Sequence, residues 1–267
     1  MQVDLLIADI DDTLTDETLR ISDRLSESFA AARERGVITT LASGRMFPAM
    51  EPFCRRLGIT APVLACQGAA IADPVSGEIL ETTAIPLDLA REVLAFTEER
   101  GLYTQYYAPK EYYFREHCVR SEAYGALAMH RGCPVGKSLI QALDFDPLKV
   151  LVIADPEEIR RLLPVAREKW AGRLEVSVSK PMYLEINHPA ATKADGLRKL
   201  AGRLHIPLSR IMAFGDGLND IPMLRAAGYG IAVANAAAET RAAAWAVTAS
   251  QSKDGVAQAI EKYLLED

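Results

Sequence analysis

The chain has no basic excess. Lys and Arg number 30 against 36 Asp and Glu, a net charge of −6, and no basic stripe runs along it. A nucleic-acid binder usually carries one or the other, so no nucleic-acid partner is expected. An acidic chain can still hold an anion in a locally positive pocket, which leaves small phosphorylated ligands open. Cysteine is scarce and scattered. Cys54, Cys66, Cys118 and Cys133 form no CxxC pair, which removes zinc-finger and thioredoxin-type readings and suits free thiols in a reducing cytosol. No apolar run reaches the roughly 18 residues of a membrane helix. The opening MQVDLLIADI has no basic leader and carries Asp4 and Asp9, so it does not read as a signal peptide. Internal repeats and low-complexity tracts are also missing. A cytoplasmic protein with no membrane partner is expected, and 267 residues at 49% hydrophobic content suffice for one large domain or two modest ones.

What is present is a series of short apolar runs that end in Gly, Ser or Asp. They lie at 3–11, 37–44, 62–68, 211–217 and 229–236. They are rich in Val, Ile, Leu and Ala without strict alternation, as parallel strands covered on both faces are. Helical patterns separate them. Ser22 can cap the segment from Asp23 that stops at Gly36, and a second helix fits Pro48 to Leu57 before Gly58. Alternating strand and helix predicts an α/β, Rossmann-like parallel sheet. Ligands of such sheets bind beyond the carboxyl ends of the strands.

The middle of the chain reads differently. A helix is expected over 86–100. LYTQYY and EYYFRE then flank Ala108-Pro109-Lys110 like a hairpin. A strand at 149–154 precedes Asp155-Pro156, a helix start, and 173–179 with 182–187 form a second hairpin pattern. These predict an α+β domain with an antiparallel sheet, inserted at 83–187 into a core made of 1–82 and 188–267. Its tyrosines are expected to pack the inserted sheet. Gly132-Cys-Pro-Val-Gly136-Lys137-Ser138 imitates a phosphate loop but has three residues between its glycines where four are needed.

The chemistry concentrates in LLIADIDDTLT at 5–15, where an apolar run ends in Asp9, Asp11 and Asp12. Alternate side chains of a strand point the same way, so Asp9 and Asp11 can face one ligand. A divalent cation would offset their repulsion, and hard carboxylate oxygens suit Mg²⁺. Asp216 supplies a third carboxylate at another strand end. Donors for an anion beside the metal are at hand in the Ser43 hydroxyl, the close-approaching backbone of Gly44, Lys193 at a helix start and the Asn219 amide. Acid cluster, Ser, Lys and distal Asp together describe phosphoryl transfer through an aspartyl phosphate.

In these residues the sequence resembles the haloacid dehalogenase-like phosphatases, in the Cof-type (subfamily IIB) sugar-phosphatase branch with a large α/β cap. The DxDGT motif of that family is matched by Asp9-Ile10-Asp11-Asp12-Thr13. Its Ser/Thr-Gly-Arg is matched by Ser43-Gly44-Arg45, its lysine by Lys193 and its GDGxND by Gly215 to Asp220. Four motifs in order cover almost the whole chain. Two positions depart from the pattern. Asp12 stands where Gly is usual, with its side chain expected to point away from the phosphate while its N–H still donates. Gln67 stands where Asn-Gly is common, a position expected to make a structural or substrate-side hydrogen bond.

The resemblance implies roles. Asp9 attacks phosphorus, and Asp11 protonates the leaving alkoxide and later takes a proton from water. Mg²⁺ is held by Asp9, the backbone carbonyl of Asp11 and Asp216, with Thr13 and Asp220 in support. Asp12, Ser43, Gly44, Lys193 and Asn219 hold the phosphate, and Arg45 can face the substrate. The inserted cap closes over the core, which favours a small phosphorylated metabolite. A phosphomutase of the same superfamily and, more remotely, a phospho-aspartate signalling module share much of this residue set.

Overall fold

The computed structural model describes residues 1–16 and 18–266. It divides into two compact units. One comprises Met1–Gly44, Met50–Glu81 and Thr192–Asp267, the other Arg45–Ala49 and Thr82–Ala191.

The first unit begins with β1 (Leu5–Ala8), a run of four buried residues. Helix α1 (Asp23–Glu34) starts at Ser22, whose hydroxyl accepts the Leu25 N–H at 3.0 Å and donates to Asp254 at 2.6 Å. Capping therefore also ties the start of α1 to a residue 232 positions later. Strand β2 (Ile38–Leu41) and helix α2 (Phe47–Leu57) follow. The apolar run at 62–68 is then shorter as a strand than expected. Only Val63–Ala65 is extended (β3), and Cys66–Gly68 turns as a 3₁₀ segment. Strand β3 pairs antiparallel with β4 (Ala70–Ala72), and these two with β5 (Ile79–Thr82) form a separate three-stranded sheet. A single parallel bridge, Ala42 to Leu64, links β3 to the end of β2.

The second unit runs α3 (Leu87–Glu98), β6 (Tyr103–Tyr107), β7 (Tyr112–Phe114), α4 (Val119–Ala128), β8 (Cys133–Pro134), α5 (Leu139–Ala142), β9 (Lys149–Ile153), α6 (Pro156–Lys169), β10 (Glu175–Lys180) and β11 (Tyr183–Asn187). Its six-stranded sheet has the order β10-β11-β9-β6-β7-β8 and is antiparallel except between β7 and β8. Alternation assigns the faces. Tyr106, Val150, Val152, Leu184 and Ile186 join Phe96, Ile159 and Trp170 in one apolar core. The alternate positions Gln105, Tyr107, Lys149 and Glu185 are buried polar residues, with the Lys149 ammonium 3.4 Å from Glu185. Tyr106, Tyr107 and Tyr112 are fully buried, so the tyrosines do pack this sheet.

The chain returns to the first unit with α7 (Lys193–Leu204), β12 (Ile211–Gly215), α8 (Ile221–Ala226), β13 (Tyr229–Ala232), α9 (Ala238–Ala243), β14 (Ala246–Val247) and α10 (Gly255–Ile260). The resulting five-stranded sheet is parallel throughout, in the order β14-β13-β12-β1-β2. Within the alanine-rich stretch at 236–246 only α9 is helical; it ends at Ala243, and β14 begins at Ala246. No described helix is long and apolar enough to cross a membrane.

Candidate active site

The parallel sheet brings distant residues to one edge. Ala8 at the end of β1 is in register with Phe214 of β12 and Leu41 of β2. The next residues therefore leave neighbouring strands together: Asp9, Gly215-Asp216 and Ala42-Ser43. Asp9 is fixed there by its own N–H, which donates to the Phe214 carbonyl at 3.0 Å.

Lys193 ties this edge to α7. Thr192 caps the helix by accepting the Asp195 N–H, which sets Lys193 as its first residue. The ammonium is almost completely buried and donates to Asp9 Oδ1 and Asp220 Oδ1, each at 2.6 Å. Its seat depends on Gly68. That residue has φ +92°, and a Cβ there would lie 2.4 Å from the Thr192 carbonyl oxygen. The turn after β3 and the start of α7 can meet only with glycine at this point.

Asp9, Asp216 and Asp220 place carboxylate oxygens within 4.8 Å of one another. Hydrogen bonds divide their work. Asp220 is fully buried, and its two oxygens accept from Lys193 and from the N–H groups of Asp216 and Gly217 at 3.0 and 2.9 Å. Asp216 Oδ1 accepts from the Thr13 hydroxyl at 2.8 Å. Asp9 and Asp216 thus each keep an oxygen that none of these hydrogen bonds occupies, whereas Asp220 is fully engaged in support. Two carboxylates with an open oxygen fit a small hard cation such as Mg²⁺, which takes one or two protein carboxylates and completes its octahedron elsewhere.

Burial also acts on the charges. It pushes Asp9 well above the usual carboxylate range; Lys193 opposes this, while Asp220, Asp216 and Asp11 add to it. Asp216 is pushed up to about 6, by burial first and by Asp220 next. Lys193 is raised by Asp220 and Asp9 in spite of its own burial. Asp216 therefore keeps a proton in the folded state up to about pH 6, where the unfolded chain has already released it. Folded stability from Asp216 is present below pH 4 and is lost as pH rises to about 6. In chelator, Asp216 is expected to cost the protein about 2 kcal/mol of stability between pH 4.5 and 6.5. Urea unfolding at the two pH values measures this, with Asp216→Asn expected to flatten the slope. A stability that rises over this window in wild type would overturn the assignment.

The remaining expected residues fall as follows. Ser43 is fully buried, with its N–H on the Leu64 carbonyl at 2.8 Å. Asn219 follows Asp216 by three residues, and its Nδ2 donates to Gln67 Oε1 at 3.0 Å. Asp12 has φ +59°, a region that Gly adopts freely and Asp tolerates, which gives the Asp-for-Gly departure a backbone explanation. Its side chain is exposed and its carbonyl accepts from Asn235 Nδ2 at 2.7 Å. Asp11 is half-buried, forms a bridge with Thr15 and is not among the three clustered carboxylates. Arg45 belongs to the second unit, where its guanidinium donates to the Leu127 carbonyl at 3.2 Å. Two features are not evident from sequence reasoning: Asp220 as a direct partner of Lys193, and Gln67 as a partner of Asn219.

A family model of haloacid dehalogenase-like hydrolases matches residues 6–260. The HMP-PP phosphatase of Serratia proteamaculans is 27% identical over 239 residues, which cover 85% of this chain and 82% of that protein. The 5-amino-6-(5-phospho-D-ribitylamino)uracil phosphatase YitU of Bacillus subtilis is 26% identical over 273 residues, covering 97% of each. Among solved structures, a haloacid dehalogenase-like hydrolase from Bacteroides thetaiotaomicron matches with a TM-score of 0.88 at 25% identity, covering 98% of this chain and 99% of the other. A HAD subclass IIB sugar phosphatase matches with a TM-score of 0.84 at 25% identity and the same coverage. The chain therefore belongs to the haloacid dehalogenase-like hydrolases, in the Cof-type phosphatase branch of that family.

Proposed function

We propose that the protein is a Mg²⁺-dependent phosphatase that hydrolyses small phosphate monoesters, sugar phosphates or related metabolites, through an aspartyl phosphate on Asp9. The observation that carries this reading is the buried Lys193 bridge between Asp9 and Asp220, with Asp216 in the same acid cluster. Asp9 and Asp216, with the backbone carbonyl of Asp11, would hold the metal, which when bound neutralises the crowded carboxylates and the phosphate oxygens.

Asp9 is the nucleophile. Lys193 at 2.6 Å favours its ionised form against the burial that disfavours it. The carboxylate oxygen forms a bond to phosphorus as the ester P–O bond breaks, and Asp11 gives its proton to the departing alkoxide. Asp11, now ionised, takes a proton from water as the water oxygen bonds to phosphorus. The P–O bond to Asp9 then breaks, and the carboxylate is restored. Ser43, Gly44, Lys193, Asn219 and the Asp12 N–H hold the transferring oxygens, so positioning and charge supply most of the rate. The unit of Arg45–Ala49 and Thr82–Ala191 is assigned the choice of substrate body, with Arg45 as its candidate contact. The two relatives above are named as phosphatases of small phosphorylated compounds, which supports the class.

The test is phosphate release from a panel of small monoesters, with Mg²⁺ and with chelator. Release that requires the metal is expected, with one substrate group strongly preferred. Isomerised sugar phosphate in place of free phosphate would make the protein a mutase. No release from any monoester, and no phosphoenzyme trapped on Asp9, would sink the reading.

A further inference from the structure

Gln67 stands where three segments of the first unit meet. Its N–H donates to the Ser43 carbonyl at 3.0 Å. Its Oε1 accepts from Asn219 Nδ2 at 3.0 Å. Its Nε2 lies against Gly44, where a Cβ would come within 2.7 Å of it. Gln67 is 7% exposed, and the hydrogen bond its side chain makes to Asn219 uses Oε1 and leaves Nε2 on the Gly44 side. A nearly buried amide therefore reaches from Asn219 with its oxygen to Gly44 with its nitrogen.

The backbone gives a second, independent sign. Cys66, Gln67 and Gly68 have φ of 50°, 62° and 92°, three successive residues in the left-handed region. Asn enters that region far more readily than Gln. Such strain is kept where the surroundings use the residue, and functional sites are where it collects. Length is what separates Gln from Asn. The extra methylene lets one amide touch Asn219 with its oxygen while its nitrogen lies beside Gly44.

We infer that Gln67 is a positioning residue of the phosphate site, holding the Asn219 amide in one orientation through Oε1 and presenting Nε2 beside Gly44 as a further donor to the anion. The inference rests on the reading of Ser43, Gly44 and Asn219 as phosphate contacts. Asn219 Nδ2 carries two hydrogens. One is taken by Gln67, which leaves the other for a phosphoryl oxygen. Without Gln67 the amide is free to turn, and its carbonyl oxygen would then repel the anion.

The experiment uses Gln67→Met, Gln67→Glu and Gln67→Asn in the full chain with Mg²⁺. Calorimetry measures binding of inorganic phosphate, kinetics on p-nitrophenyl phosphate separate KM from kcat, and melting reports the fold. Gln67→Met keeps the shape and loses both polar contacts, so the phosphate Kd and KM are expected to rise together about tenfold, with kcat changed less. Gln67→Glu keeps the acceptor for Asn219 but replaces the donor by a negative charge, and about a hundredfold loss is expected. Gln67→Asn keeps the chemistry, shortens the reach and should recover part of the loss seen with Met. If Gln67→Met does not fold, the Glu and Asn variants carry the comparison. Glu and Met variants that melt normally and keep Kd and KM within twofold of wild type overturn the inference. A wild type that binds phosphate but hydrolyses no monoester sinks the proposed function alone, because the ranking of Kd values still tests Gln67. A wild type that binds no phosphate overturns both.

Discussion

Asp9→Asn is expected to lower turnover by roughly a million-fold, the scale on which deletion of a covalent nucleophile acts, while the fold is retained. Asn has the same shape and keeps an oxygen for the Lys193 ammonium, which also remains on Asp220. What is lost is the negative charge and with it the proposed nucleophile. The amide oxygen of Asn is a poor nucleophile, and no aspartyl phosphate can form. Stability should hold or rise slightly, because burial and the neighbouring acids make the ionised Asp9 unfavourable where it stands. The decisive measurement pairs steady-state phosphate release with acid quench of enzyme mixed with labelled substrate. Wild type should show label on the protein and the variant none. A variant within tenfold of wild-type turnover would falsify the nucleophile assignment.

The same residue shows how much the sequence discloses. The end of β1 is legible because four apolar residues run straight into a carboxylate. The end of β12 is legible for the same reason, and parallel pairing then makes their meeting predictable. The division of labour among the acids is not. Whether Asp220 holds a metal or holds Lys193 depends on which oxygen each N–H reaches, and that is fixed by the turn from Gly215 to Asp220. Gln67 is hidden for another reason. Its partner lies 152 residues away, and the apolar run at 62–68 reads as one strand although it breaks after Ala65. The three-stranded β3-β4-β5 sheet is obscured likewise, because its strands are short and carry no alternation. In the second unit the hairpin patterns were visible, but α4 was not. Its residues Val119–Ala128 include Gly125 and no clean apolar stripe, so packing rather than periodicity sets it.

Lys193→Met is expected to produce the largest loss of stability, about 3–5 kcal/mol at neutral pH, because it removes the cation from two buried carboxylates at once. Met follows the lysine stem closely in shape, so little packing is lost and the effect is electrostatic. For a chain of this size the melting temperature should fall by about 10 °C. The pH dependence separates this cause from a cavity. Without Lys193, the charge that opposes the burial of Asp9 is gone, so its folded value moves up further. Stability is then kept at low pH and lost as pH rises through that folded value, so the gap to wild type should narrow as pH falls. A cavity would leave the gap constant. Mg²⁺ gives an independent check, since a cation on Asp9 and Asp216 supplies charge that the lysine no longer does. Millimolar Mg²⁺ should therefore raise the melting temperature of the variant more than that of wild type. Turnover is expected to remain far below wild type even in Mg²⁺, because in the proposed mechanism the lysine also holds a transferring oxygen. A variant as stable as wild type from pH 5 to 8 would mean that Lys193 does not offset the charge of the buried carboxylates, and the electrostatic account of the bridge would fall.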